Sequence, residues 1–201
     1  MIVLGDACIN YFGDHRDDEF KQSLGKIPVT FFCVHGNHEM RPWHIEDMVQ
    51  TCWHGDMAYY QPKYPNIIYA KDASVYTYSG HRCLVIGGAY SVDKYFRLKN
   101  GYRWFSDEQP TDEIKQQVYE SVAKHPDIDI VLTHTCPYKY IPREMFLSCI
   151  DQSTVDDSTE HFLDTVEDKV NYQKWYCGHW HTEKSIGRMR FMFNDIITIG
   201  G

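Results

Sequence analysis

Four times in this chain a short run of β-forming residues ends directly in polar side chains able to hold a metal. Ile2-Val3-Leu4 runs into Gly5-Asp6, and Phe31-Phe32-Cys33-Val34 into His35-Gly36-Asn37-His38-Glu39. Ile130-Val131-Leu132-Thr133 runs into His134, and Lys174-Trp175-Tyr176-Cys177 into Gly178-His179-Trp180-His181. In sheets built from parallel strands with helical crossovers, the loops beyond the strands' carboxyl ends converge on one edge, and ligands gather there. The pattern therefore predicts an α/β fold that brings residues as far apart as Asp6 and His181 together.

The remaining periodicities agree with that class. Strand-like runs are predicted at 2–4, 29–34, 66–69, 75–78, 83–86, 128–133, 174–177 and 190–193, with Ser79-Gly80-His81 as a hairpin turn between two of them. The clearest helix opens at Thr111, a good cap, with Asp112 and Glu113 in its first turn. Ile114, Val118 and Val122 then give it one apolar stripe. Shorter helices are predicted at 17–24, 45–52 and 159–169, and ordered loops at 91–109 and 135–157. No repeat, low-complexity tract or flexible linker interrupts the 201 residues, which read as a single domain, 1–201, large enough to bury a core.

Composition narrows the function. Twenty Lys and Arg against 28 Asp and Glu leave a formal charge of −8, the wrong sign for a non-specific nucleic-acid coat and unfavourable for a nuclease. No apolar run approaches a membrane span, and the first residues lack a secretory signature. The seven cysteines are odd in number and contain no C-x-x-C pair, which predicts reduced thiols in a cytoplasmic protein rather than a disulfide framework or a structural zinc site. The 11 histidines are the informative count, because His35 and His38 share one turn and His179 and His181 another.

The chemistry available at the four strand ends is specific. Asp6 offers a carboxylate able to bridge two cations, Asn37 a neutral carbonyl oxygen, and His134, His179 and His181 imidazole nitrogens. A mixed oxygen and nitrogen set without thiolate suits Mn²⁺ first, with Fe or Zn²⁺ as alternatives. Two such ions sharing a ligand activate water and clamp the oxygens of an in-line phosphoryl displacement. His38, one residue past a ligand, points elsewhere and can serve a leaving-group oxygen.

Gly5-Asp6, Gly36-Asn37-His38-Glu39, Thr133-His134 and Gly178-His179-Trp180-His181, in that order across nearly the whole chain, resemble the motif blocks of the calcineurin-like metallophosphoesterase superfamily. The resemblance implies a four-layer sandwich, two mixed β-sheets flanked by helices, with two divalent ions at the strand ends. It implies Asp6 as the bridging ligand, Asn37, His134 and His179 around one ion, His181 on the other, and His38 as the catalytic histidine. It further implies hydrolysis of a phosphate mono- or diester by a metal-bound hydroxide.

Two departures accompany it. The superfamily's first block, an Asp-x-His at the end of the first strand, has no counterpart here: Asp14-His15 follows Asp6 and lacks the intervening residue. The chain then reads as a domain without its first strand, truncated at its N-terminus, with an open sheet edge and a weakened second metal site. The run Gly5-Asp6-Ala7-Cys8-Ile9-Asn10-Tyr11 also lacks the GDxxDRG pattern of the phosphoprotein phosphatases. A different class of protein is the alternative, a scaffold of this fold that has lost catalysis and binds a partner. Its retained His38 and five ligands count against it.

Other side chains carry plainer readings. His35 is expected to pack at its strand end, and Trp43, Trp53, Tyr59 and Tyr60 to pack in core and loops. Arg41 is placed equally as a contact to substrate phosphate and as half of a surface ion pair. Substrate choice is expected in loops 91–109 and 135–157, because monoesters, diesters, nucleotides, phosphoproteins and lipid headgroups all suit one such core.

Overall fold

A computed structural model describes residues 1–146 and 148–199. Side-chain alternation along the strands explains how the layers arise. Phe32 and Val34 point to one face of their sheet while Phe31 and Cys33 point to the other, and in the second sheet Cys83 and Val85 oppose Leu84 and Ile86 in the same way. Both faces of these strands are apolar, as strands covered on both sides must be.

The first sheet has five strands in the order β1-β2-β5-β4-β3: Ile2–Val3, Phe31–Cys33, Ile67–Ala70, Asp56–Tyr60 and Val49–Trp53. β1, β2 and β5 run parallel, and β4 and β3 are antiparallel. The second has six strands in the order β10-β11-β9-β8-β7-β6: Lys184–Ile186, Met189–Phe191, Lys174–Cys177, Ile130–Thr133, His81–Ile86 and Val75–Tyr78. Its four central strands are parallel.

Phe32, Val34, Ala58 and Ile68 of the first sheet pack against Tyr76, Val85, Leu132 and Tyr176 of the second, forming the core between the sheets. Helices α3 (Asp112–Lys124) and α4 (Ser158–Glu167) cover the outer face of the six-stranded sheet through Ile114, Val118, Phe162 and Val166. Helix α1 (Asp18–Gly25) and the Ile9 and Tyr64 segments cover the other outer face. The expected four-layer sandwich of two mixed sheets flanked by helices is the observed architecture.

Three local expectations need correction. Residues 45–52 do not form a helix: Val49–Trp53 is an edge strand, hairpinned to β4 through His54 (φ +48°) and Gly55 (φ +100°). Val49, Thr51 and Trp53 favour extended backbone, and the His-Gly turn supplies the two left-handed residues a tight hairpin needs. The 91–109 segment contains a helix, α2 (Lys94–Asn100), stopped by Gly101 at φ +71°. β4 itself was hidden among aromatic residues. The Ser79-Gly80 hairpin is as predicted, both residues having positive φ.

The sandwich leaves one edge open. β1 pairs with β2 only, and among the described residues no strand lies along its other edge. That edge borders an apolar groove of about 970 Å³ lined by Ile2, Leu4, Phe32, Tyr176, Met192 and Ile199, which runs up to His134 and His179. No helix among the described residues is long and apolar enough to cross a membrane.

Candidate metal centre

Four of the parallel strands, β1, β2, β8 and β9, deliver their polar clusters to the same end of the sandwich. β1 ends in Gly5 and Asp6, both left-handed at φ +90° and +51°, and this turn swings the Asp6 carboxylate toward the second sheet. Gly36, after β2, has no room for a side chain: a Cβ there would strike Asp6 N and Oδ1. The two loops can therefore interlock only as glycines allow. Asp6 Oδ1 accepts the His38 backbone N–H at 3.0 Å, and Glu39 Oε1 accepts Gly36 N–H at 2.9 Å, which pins the Gly-Asn-His-Glu turn.

His134, after β8, is buried and donates from Nδ1 to the Leu4 carbonyl at 2.7 Å. A carbonyl can only accept, so the proton is on Nδ1 and the Nε2 lone pair faces inward. Nε2 lies 2.8 Å from Asn37 Oδ1 and 3.5 Å from Asp6 Oδ2, and His179 Nδ1 lies 3.2 Å from the same Asn37 oxygen. Ligand atoms of Asp6, His134 and His179 all fall within 4.8 Å of one another. Acceptors converging this closely repel one another unless a cation or an added proton sits among them, so the residues fit a divalent ion.

The charges respond accordingly. Burial pushes the Asp6 carboxyl up, but His134 and His38 outweigh it and hold the group far below the usual carboxylate range. Burial opposes charge on His134, yet Asp6 raises its pKa overall. Burial, helped by the neighbouring His134, pushes His179 down to about 3. Glu39, desolvated and facing Asp6, is pushed up to about 7. Left-handed backbone recurs at Cys8 (φ +53°), His179 (φ +64°) and His181 (φ +47°), the concentration of strain that functional loops carry.

Of the residues singled out in the sequence, Asp6, Asn37, His38, His134 and His179 meet here. His181 lies two residues beyond the cluster, exposed and stacked on Phe193 with ring centroids 4.9 Å apart. Arg41 does not reach the cluster: it is 1% exposed, its Nη1 is paired with the Asp72 carboxylate, and its Nε donates to the Asp107 carbonyl at 3.0 Å. Neither reading weighed for it fits: burial keeps it from a substrate phosphate, and its ion pair lies inside the fold rather than on the surface. His35 is buried as expected; of the four aromatics, Tyr59 is a core residue, Trp53 and Tyr60 are half-buried against the core, and Trp43 is exposed.

Two sets of side chains at this site lie outside every motif. Arg97, on α2, donates from Nη2 to His38 Nε2 at 3.2 Å, and Asp93 grips its Nε through both carboxylate oxygens at 2.9 and 2.8 Å. An i, i+4 Asp–Arg pair was the only trace of this in the sequence. Behind Asn37, buried Ser91 and Glu108 form a hydrogen-bonded chain. A cleft of about 510 Å³ opens from Asp6, Asn37, His38 and His179 between Tyr138 and Trp180.

No curated protein matches this sequence at a significant level. The model of the calcineurin-like phosphoesterase family matches residues 1–183. That match runs across all four strand ends supplying the cluster, and the chain belongs to the calcineurin-like phosphoesterase family.

Proposed function

We propose that this chain hydrolyses a phosphate mono- or diester at a binuclear centre in which Asp6 is the shared ligand. Metal-dependent phosphoester hydrolysis is the general chemistry of its family. One observation carries the finer reading: acceptor atoms of Asp6, Asn37, His134 and His179 converge from four strand ends, and the same Asp6 carboxylate holds the His38 backbone. Asn37, His134 and His179 would complete one ion, Mn²⁺ for preference, with Fe or Zn²⁺ as alternatives. His181 would serve the second, which would be the weaker site. Divalent ions bound there would acidify water and neutralise phosphoryl oxygens.

The chain's own residues do the rest. Asp6 stays ionised across the working pH range. A guanidinium has no acceptor, so His38 Nε2 accepts from Arg97 and a neutral ring carries its proton on Nδ1. Burial lowers the His38 pKa, and Arg97 adds to that against the pull of Asp6. Arg97 thus brings positive charge beside the phosphate, while the neutral His38 ring can steady the leaving oxygen with a hydrogen bond from Nδ1–H, its proton staying on the ring. The aromatic cleft takes the leaving group.

The test is an Mn²⁺ titration counting ions per chain, run beside turnover of p-nitrophenyl phosphate and its bis-ester. Asp6→Asn should lose both binding and turnover. Arg97→Ala should keep the stoichiometry and raise KM. The exposure of His181 and its stacking on Phe193 favour a second reading, a partner-binding scaffold with one ion. One tight ion without turnover of either ester would support the scaffold, and no bound ion would overturn the hydrolytic reading.

A further inference from the structure

The Asn37 side chain has two ends of nearly equal shape and opposite chemistry, an oxygen that can bind a cation and an NH₂ that cannot. His134 Nε2 and His179 Nδ1 surround the oxygen at 2.8 and 3.2 Å. Neither histidine supplies that orientation in the absence of metal: the His134 Nε2 lone pair would by itself favour the amide NH₂, and His179 Nδ1 can accept or donate. The choice is made on the other side of the residue.

Asn37 Nδ2 donates to Ser91 Oγ at 2.9 Å. Ser91 Oγ in turn donates to Glu108 Oε2 at 2.5 Å, and Glu108 Oε1 accepts the Ser91 backbone N–H at 3.0 Å. Asn37 and Ser91 are each 1% exposed and Glu108 is 2% exposed, so water cannot substitute for a lost partner. Glu108 spends one oxygen on a backbone N–H that can only donate. The other oxygen takes the single hydroxyl proton of Ser91. That leaves a Ser91 lone pair facing Asn37, so the Asn37 end toward Ser91 must be NH₂ and the end toward the histidines must be oxygen.

We infer that Glu108 and Ser91 act as a polarity relay that holds the Asn37 amide with Oδ1 toward His134 and His179, and thereby sets the affinity of the centre for a divalent cation. The inference rests on the metal reading of the site. Ser91 and Glu108 are positioning residues, acting only through Asn37.

The relay makes an ordering that packing alone would not. In Glu108→Gln the single oxygen must stay on the Ser91 backbone N–H, which puts the new NH₂ against Ser91 Oγ. The hydroxyl then turns its proton to Asn37, and the amide reverses. Ser91→Ala removes the relay and leaves Asn37 Nδ2 only its 3.3 Å approach to the His38 ring, which does not reverse the amide. The near-isosteric Glu108→Gln should therefore lower Mn²⁺ affinity by about 10–100-fold, the usual cost of losing a partner behind a ligand, and Ser91→Ala by less. The double variant has no hydroxyl to reverse and should recover to the Ser91→Ala level. Calorimetric Mn²⁺ titration of the four proteins reads this directly. A Glu108→Gln protein binding as well as Ser91→Ala, or losses that simply add in the double variant, would overturn the relay.

A second measurement needs no variant to fold. In the metal-free wild type, nuclear Overhauser contacts from the Asn37 side-chain amide protons should reach Ser91 Hβ; contacts to the His179 ring instead would overturn the relay. Wild-type protein that binds no Mn²⁺ would overturn the underlying metal reading, an outcome separate from either of these.

Discussion

Glu160, which also lines the cleft beside the cluster, carries a burden of its own. It lies in the first turn of α4, where a helix favours a negative charge, and accepts from Thr135 Oγ1 at 2.7 Å, yet burial pushes its carboxyl from 4.5 up to about 7. Below about pH 4.5 the group is protonated both folded and unfolded and costs nothing. Between there and pH 7 the unfolded chain ionises first, so stability falls as pH rises, and above pH 7 the deficit is constant. Glu160→Gln keeps an acceptor for Thr135 and removes the ionisation. The variant should match the wild type near pH 4 and exceed it near pH 8 by up to roughly 3 kcal/mol. Urea midpoints at the two pH values measure this, and an equal gap at both would refute it. Glu39 shares the sign but is common to both proteins and cancels.

At the scale of elements, α3 is held by its cap and its stripe. Thr111 Oγ1 accepts Ile114 N–H at 3.3 Å, and Ile114, Val118 and Val122 are its buried residues. Thr111→Ala should lower stability by about 0.5–2 kcal/mol, read as a shift in urea midpoint with an unchanged slope. Both features were legible in the sequence, because capping and a 3.6-residue period are local. The four strand ends were legible for a related reason: each carries its own polar cluster directly after its own apolar run, and only their meeting had to be inferred. The β3–β4 hairpin was not, because His54 occupies a left-handed position where Asn or Asp would have signalled a turn. Arg97, Ser91 and Glu108 were beyond reach for another reason. They approach the site from a helix and loop whose path is set by packing between layers, and nothing in their spacing records which atoms they face.

Across the whole molecule, the cluster takes Asp6 and Asn37 from the five-stranded sheet and His134 and His179 from the six-stranded one. A bound ion therefore adds a fastening between two sheets already joined by apolar contact and by hydrogen bonds such as Trp53 Nε1 to Tyr78 Oη and Tyr76 Oη to the Met57 carbonyl. The ion pair of Arg41 with Asp72, whose other oxygen accepts Gly87 N–H at 2.6 Å, makes a second fastening nearby. Mn²⁺ at 100 times its dissociation constant should raise unfolding stability by about 2.7 kcal/mol, and chelator should remove the gain. Thermal unfolding with and without Mn²⁺ tests this, with Asp6→Asn expected to show no shift. One member of this centre is of a different kind from the rest. The oxygen that orients His134 belongs to the main chain of Leu4, whose side chain packs between the sheets. Any amino acid at position 4 supplies the same atom. A complete scan of substitutions would therefore score position 4 by its packing and remain blind to its contact with His134. That contact lies outside the genetic alphabet, and only chemical synthesis, replacing the peptide link after Leu4 by an ester with its poorer acceptor, would bring it into view.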